Sequence, residues 1–160
     1  HSRRQAVITY DAMAAAKPGD VVLSVDCDAQ WFKPLTAISG FLPELELVCQ
    51  MDAAPEPLCG GFMRMRVTPA TVALCKGVVD GMSSPQAGHA THWINRLALE
   101  MNISHGTFPL EMVWATVGIV WSNGMALPQI PANLVAQHCS YVTGMENKIA
   151  LMKLVRSQIG

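Results

Sequence analysis

The chain has 160 residues, 51% of them apolar and 14% charged, with a formal net charge of −1. That is enough for one domain with a real core, and it is not the composition of a disordered chain. Acids and bases are interspersed and no 18-residue apolar stretch occurs, so nucleic acid, an anionic membrane surface and a membrane span are all excluded as expectations.

The first residues, His1-Ser2-Arg3-Arg4, carry no initiator Met and no signal-like segment. They read as the middle of something longer, which leaves targeting open. Residues 3–17 are alanine-rich, with Val7, Tyr10 and Ala14 on one face, and predict a helix ended by Lys17-Pro18-Gly19-Asp20. Val21–Val25 is a short, β-branched apolar run, expected as a buried central strand. Leu45–Gln50 is a second strand, followed by a loop stiffened by Pro55 and Pro57. Cys59–Val67 predicts a strand entered through Gly60 and Gly61, with Phe62, Arg64 and Arg66 on one face and Met63, Met65 and Val67 on the other. The two arginines are read as structural.

Thr68-Pro69 is a helix start, an N-cap followed by proline at the first helical position, and Gly81 can close that helix. Residues 83–88 predict a loop, and His92–Met101 a helix with Trp93, Ile94, Leu97 and Met101 on one face. Val113–Trp121 mixes β-branched residues with tryptophans before the turn Ser122-Asn123-Gly124. Leu134–Tyr141 predicts a strand with His138 near its end, and Gly144 precedes an amphipathic helix over Asn147–Ile159. The order helix, turn, buried strand predicts α/β layering in a single domain. The five cysteines (27, 49, 59, 75 and 139) form no CxxC pair and read as free, mostly buried thiols. Asn102-Ile103-Ser104 is a glycosylation sequon, relevant only in a secretory lumen.

The chemistry concentrates at Asp26-Cys27-Asp28. In an extended chain alternate side chains point the same way, so both carboxylates leave the strand end together. Two like charges that close leave one protonated unless a cation stands by. A hard divalent cation, Mg²⁺ or Mn²⁺, takes oxygen ligands and is often completed by substrate phosphates.

The surroundings of that triplet resemble the nucleotide-diphospho-sugar transferase family, glycosyltransferases of the GT-A fold. The run Val21 to Leu35 (VVLSVDCDAQWFKPL) looks like the family's strand, Asp-x-Asp, apolar pair, Pro and Leu. Gly60 to Thr71 (GFMRMRVTPAT from Gly61) resembles its x-G-F-x-x-x-R-x-T-P-A-T segment, and His138 to Lys148 (HCSYVTGMENK) resembles its closing His, Gly and Lys. The resemblance implies a mixed, mostly parallel central sheet flanked by helices, without the family's first nucleotide-binding strand–helix units. It implies that Asp26, Asp28 and His138 hold Mn²⁺ or Mg²⁺, with Gly144 and Lys148 on the diphosphate of a sugar-nucleotide donor. Asp52, Gly60, Gly61 and Asn95 are expected near donor or acceptor, the acceptor being a glycan, a protein or a small molecule. Retention at the anomeric carbon, and a Golgi lumen for a eukaryotic member, are also what the resemblance implies.

The family's Asp-Gln pair is replaced by Ala90 and Thr91, ahead of Ile94-Asn95, and Ser140 stands where Asn is common. The replacement makes a degenerate, non-catalytic nucleotide-binding protein or scaffold the second expectation. A haloacid-dehalogenase-type phosphotransferase also puts Asp-x-Asp after a strand, but it needs later acids for Mg²⁺, and the last aspartate here is Asp80. His89 and His92 are read as surface histidines rather than ligands.

Overall fold

The computed structural model describes residues 2–84 and 88–159. Of the loop expected over 83–88, residues 85–87 lie outside the described residues. Helix α1 (Ser2–Ala15) leads into β1 (Val21–Val25), and β2 (Ala29–Trp31) and a short α2 (Thr36–Ser39) follow. Then come β3 (Leu47–Met51), β4 (Leu58–Arg66), α3 (Pro69–Gly81) and α4 (Ala90–Glu100). The short strands β5 (His105–Phe108), β6 (Val113–Trp114) and β7 (Ala136–His138) precede α5 (Met145–Ile159). The helix at Thr68-Pro69 forms as its sequence predicts: Thr68 Oγ1 accepts the Thr71 N–H at 3.2 Å, and Thr71 Oγ1 accepts the Thr68 N–H at 2.9 Å.

The strands make two sheets, ordered β1-β4-β3-β5 and β2-β7-β6. Both are mixed. The expectation of a mostly parallel sheet is corrected, because β1/β4, β3/β4 and β2/β7 are antiparallel and only β3/β5 and β6/β7 are parallel. The physical reason is partly connection length. Residues 52–57 are too few for the crossover that a parallel β3/β4 pair needs, so the two strands must form a hairpin.

A second correction concerns β1, which among the described residues is an edge strand bonded to β4 alone. Its apolar run still has a cause, since both faces are covered. Val22 packs against the cluster that includes Met65, Leu74 and Trp93, whereas Leu23 and Val25 pack against one that includes Phe62 and Phe108. Thr9 of α1 is bonded to Ser24 of β1 at 2.8 Å between hydroxyl oxygens. Two-sided burial was legible; which strands lie alongside was not. The strand expected over Val113–Trp121 shrinks to Val113–Trp114 and a bridge from Trp121 to Val142. All five cysteines are free, Cys27 exposed and the other four buried.

Among the described residues, three apolar clusters result. One joins α1, α3 and α4 to a face of the four-stranded sheet, and a second, rich in aromatics, lies where the two sheets meet. The third packs Leu151 and Val155 of α5 on Trp114, Trp121 and Leu134. Arg64 is 1% exposed and pairs with carbonyls rather than with an acid. Its Nε donates to Ser39 O at 3.2 Å and its Nη1 to Leu45 O at 2.8 Å, which staples the segment between α2 and β3 onto β4. Burial, with Arg66 nearby, lowers its pKa from the ordinary value.

Removing that guanidinium leaves buried carbonyls unpaired. Arg64→Ala is expected to destabilise the fold by about 3 kcal/mol, and Arg64→Lys to rescue little, because one ammonium cannot span the same carbonyls. Urea unfolding, read as a shift of midpoint at constant slope, measures both.

Candidate metal centre

The site forms where the two sheets are pinned together. Asp26-Cys27-Asp28 is the turn between β1, in one sheet, and β2, in the other. The Asp26 N–H donates to Gly61 O at 2.8 Å, holding that aspartate on β4. The Cys139 N–H donates to Asp28 O at 3.1 Å, holding the second aspartate on the end of β7. The β2/β7 register then sets Ala29 opposite His138, so the histidine arrives beside Asp28 from far along the chain.

His138 Nε2 stands 3.5 Å from Asp26 Oδ2 and 3.4 Å from Asp28 Oδ1. One ligand atom from each of the three residues lies within 4.8 Å of the others. The imidazole is 3% exposed, and its Nδ1 is engaged by Gln50 Oε1 at 2.7 Å. With Nδ1–H donated there, the Nε2 edge faces the two carboxylates. Three acceptors then converge, an arrangement that a proton or a metal ion must bridge. Asp26 Oδ1 is shut off from solvent with no hydrogen-bond partner among the described residues.

Gly61 makes the space. A Cβ there would lie 2.5 Å from His138 Cε1 and 2.7 Å from Asp26 Oδ2. The β3/β4 pairing jumps from Cys49↔Met63 to Gln50↔Cys59, so Gly60, Gly61 and Phe62 fall in the irregularity. The two-glycine entry seen in the sequence is therefore a bulge that admits the imidazole.

Charge around the triad is balanced by Lys148 of α5, whose Nζ lies 2.5 Å from Asp28 Oδ2. Burial raises the pKa of Asp28, but hydrogen bonds from His138 and Lys148 outweigh it and hold the carboxyl well below the usual range. Burial pulls His138 down, yet the two aspartates outweigh that and lift it well above 6.5. Gly144 stands just before α5 with φ +82°, a left-handed conformation that favours glycine.

Asp26, Asp28, Gly61, His138 and Lys148 line a cleft of about 520 Å³. Asp52 is there too: the Tyr141 hydroxyl donates to its Oδ1 at 2.5 Å, and the Ala53 N–H donates to the same oxygen at 2.8 Å. That bond and burial push the Tyr141 hydroxyl up to about 12. Gly60 and Asn95 lie elsewhere. Asn95 exchanges two bonds with the Leu58 backbone and donates a third to Thr91 O, whereas the Gly60 N–H donates to Thr91 Oγ1 at 3.0 Å. They lock α4 to β4. His92 pairs with Glu56 at 2.7 Å, and His89 lines the cleft.

Sequence reasoning missed Gln50 and Tyr141. Gln50 carried a signal, an amide closing the apolar run Leu47-Val48-Cys49. Tyr141 carried none. The donor set, the solvent-excluded carboxylate oxygen and the glycine cradle together fit a divalent cation held by Asp26, Asp28 and His138.

Two outcomes follow from this geometry. Gly61→Ala is expected to fold but to weaken divalent-cation binding at least about tenfold, read by calorimetric titration, since the added methyl displaces two donors. Without metal, His138 contributes stability that is fully present below its ordinary pKa of 6.5 and is lost as pH rises through its elevated folded value. The metal-free thermal midpoint should thus decline from pH 6.5 upward, and a saturating divalent cation should abolish the decline. Scanning calorimetry with and without metal checks both limbs.

Compared with protein-family models, with curated proteins and with solved structures, the chain has no significant match.

Proposed function

We propose that the chain is a metal-dependent glycosyltransferase domain of the GT-A kind, moving a sugar from a nucleotide-diphosphate donor to an acceptor. One observation carries the reading. Asp26, Asp28 and His138, with Lys148 120 residues beyond Asp28, meet at the mouth of a single cleft. Two carboxylates and an imidazole suit Mn²⁺ or Mg²⁺. When bound, such an ion supplies Lewis-acid stabilisation of charge on the departing diphosphate.

The chain's own groups divide the remaining work. Asp26, Asp28 and His138 present the donor atoms. Lys148 is a compact cation that pairs with Asp28 while no phosphate is present and can turn to one when it is. Gly144 opens the backbone at the first turn of α5, whose N–H groups attract an anion. Asp52, steadied by Tyr141, offers its other carboxylate oxygen to sugar hydroxyls. Cleft carboxylates outnumber its cations, so a diphosphate is repelled without a metal.

A second reading, a degenerate domain that binds the nucleotide without turnover, is favoured by Ala90 and Thr91. Ala90 packs against the core, and the Thr91 hydroxyl is occupied by the Gly60 N–H. Neither offers the acid or amide that a donor sugar would meet.

Titration with Mn²⁺ and a panel of sugar nucleotides tests the proposal. Nucleoside diphosphates should bind only with metal, and slow donor hydrolysis would favour the transferase over the degenerate reading. Binding that ignores Mn²⁺, or a chain that takes up no metal, contradicts it. Lys148→Met is expected to leave Mn²⁺ affinity equal or higher, because Asp28 loses a competitor, while weakening nucleoside diphosphate binding about tenfold or more. A parallel fall in both affinities would sink that assignment.

A further inference from the structure

Gln50 is 0% exposed, at the end of a strand whose other core residues are apolar. A buried amide there needs partners for both ends, and it has them. Oε1 accepts from His138 Nδ1 at 2.7 Å, and Nε2 donates to Ser140 Oγ at 3.0 Å. Ser140 is itself anchored, its carbonyl accepting from Thr116 Oγ1 at 3.1 Å. The amide is therefore clamped between two residues of the segment that carries His138, and it cannot turn freely.

We propose that Gln50 is a positioning residue for the metal centre: it fixes His138 with the proton on Nδ1, so that Nε2 is directed at Asp26 and Asp28. The inference rests on reading that triad as a cation site. An imidazole offers one lone pair at a time, and the hydrogen bond made by one ring nitrogen decides which tautomer the other presents. Lacking an acceptor at Nδ1, the ring is free to carry its proton on Nε2, where it blocks coordination. The backbone supports the role. Gln50 faces Cys59 across the β3/β4 irregularity, two residues from Gly61, whose missing side chain leaves room for the ring. A neutral amide also holds the N–H without adding a third negative charge to two aspartates.

The experiment compares Gln50→Leu and Gln50→Glu with the unaltered chain. Mn²⁺ affinity is read by calorimetry and electron paramagnetic resonance, and the fold by circular dichroism. ¹⁵N chemical shifts of the His138 ring are read with Mg²⁺ bound. Leucine fills the apolar strand position but accepts nothing, and should cost roughly 10–100-fold in Mn²⁺ affinity. Glutamate keeps an acceptor at the same atom and should restore affinity to within a few-fold, with the ring protonated on Nδ1. Unchanged affinity in Gln50→Leu overturns the positioning role while leaving the cation site standing. Equal loss in both variants also overturns it, because a packing defect alone would do that. Failure of the unaltered chain to bind Mn²⁺ overturns the role and the metal reading together.

Discussion

Three hydrogen-bond acceptors facing one another cannot stay as they are. Asp26, Asp28 and the Nε2 edge of His138 are brought within a few ångströms by backbone that has little freedom to relax. Only positive charge can sit among them, a proton or a metal ion. A proton on His138 satisfies the set in the absence of metal, which is why the histidine is held so basic and Asp28 so acidic. The same three groups offer a divalent cation a ready-made set of donors, and Lys148 stands by as a second cation. Competition between proton and metal for one place is the constraint around which the functional proposal is built.

The fold serves that place by joining two sheets at it. Leaving β1, the chain crosses into β2 through the two aspartates, and the β2/β7 ladder returns His138 to the crossing point. Gly61 keeps the crossing open, and Gln50 reaches it from the strand beyond. On the far side of the four-stranded sheet, α3 and α4 are locked by the Thr68–Thr71 cap and by Asn95. These contacts make rigid the strand on which Gly61 sits.

The carboxylate pair could be read from residues alone, and the rest of the expected site only through the family resemblance. Two carboxylates after an apolar strand are an electrostatic incongruity, and a histidine ending a later strand is a ready partner for them. Gly144 and Lys148 entered through the family resemblance, and the structure brings Lys148 to Asp28 and sets Gly144 just before α5. Strand direction was not legible, since an apolar run specifies burial without specifying its neighbours; hence β1 lies at an edge and the sheets are not mostly parallel. Gly60 and Asn95, expected near donor or acceptor, are engaged in contacts between α4 and β4, and in a sequence a glycine or amide looks the same whether it meets a ligand or a neighbouring helix. Tyr141 reaches Asp52 only through a left-handed turn at φ +61°, which a non-glycine sequence does not announce.

Anomalous diffraction from crystals soaked in Mn²⁺ tests the central claim most directly. The account predicts one strong peak bounded by carboxylate oxygens of Asp26 and Asp28 and by His138 Nε2, with Nδ1 still on Gln50. Manganese bound elsewhere, or a histidine that keeps its bridging proton at saturating Mn²⁺ and neutral pH, would contradict it.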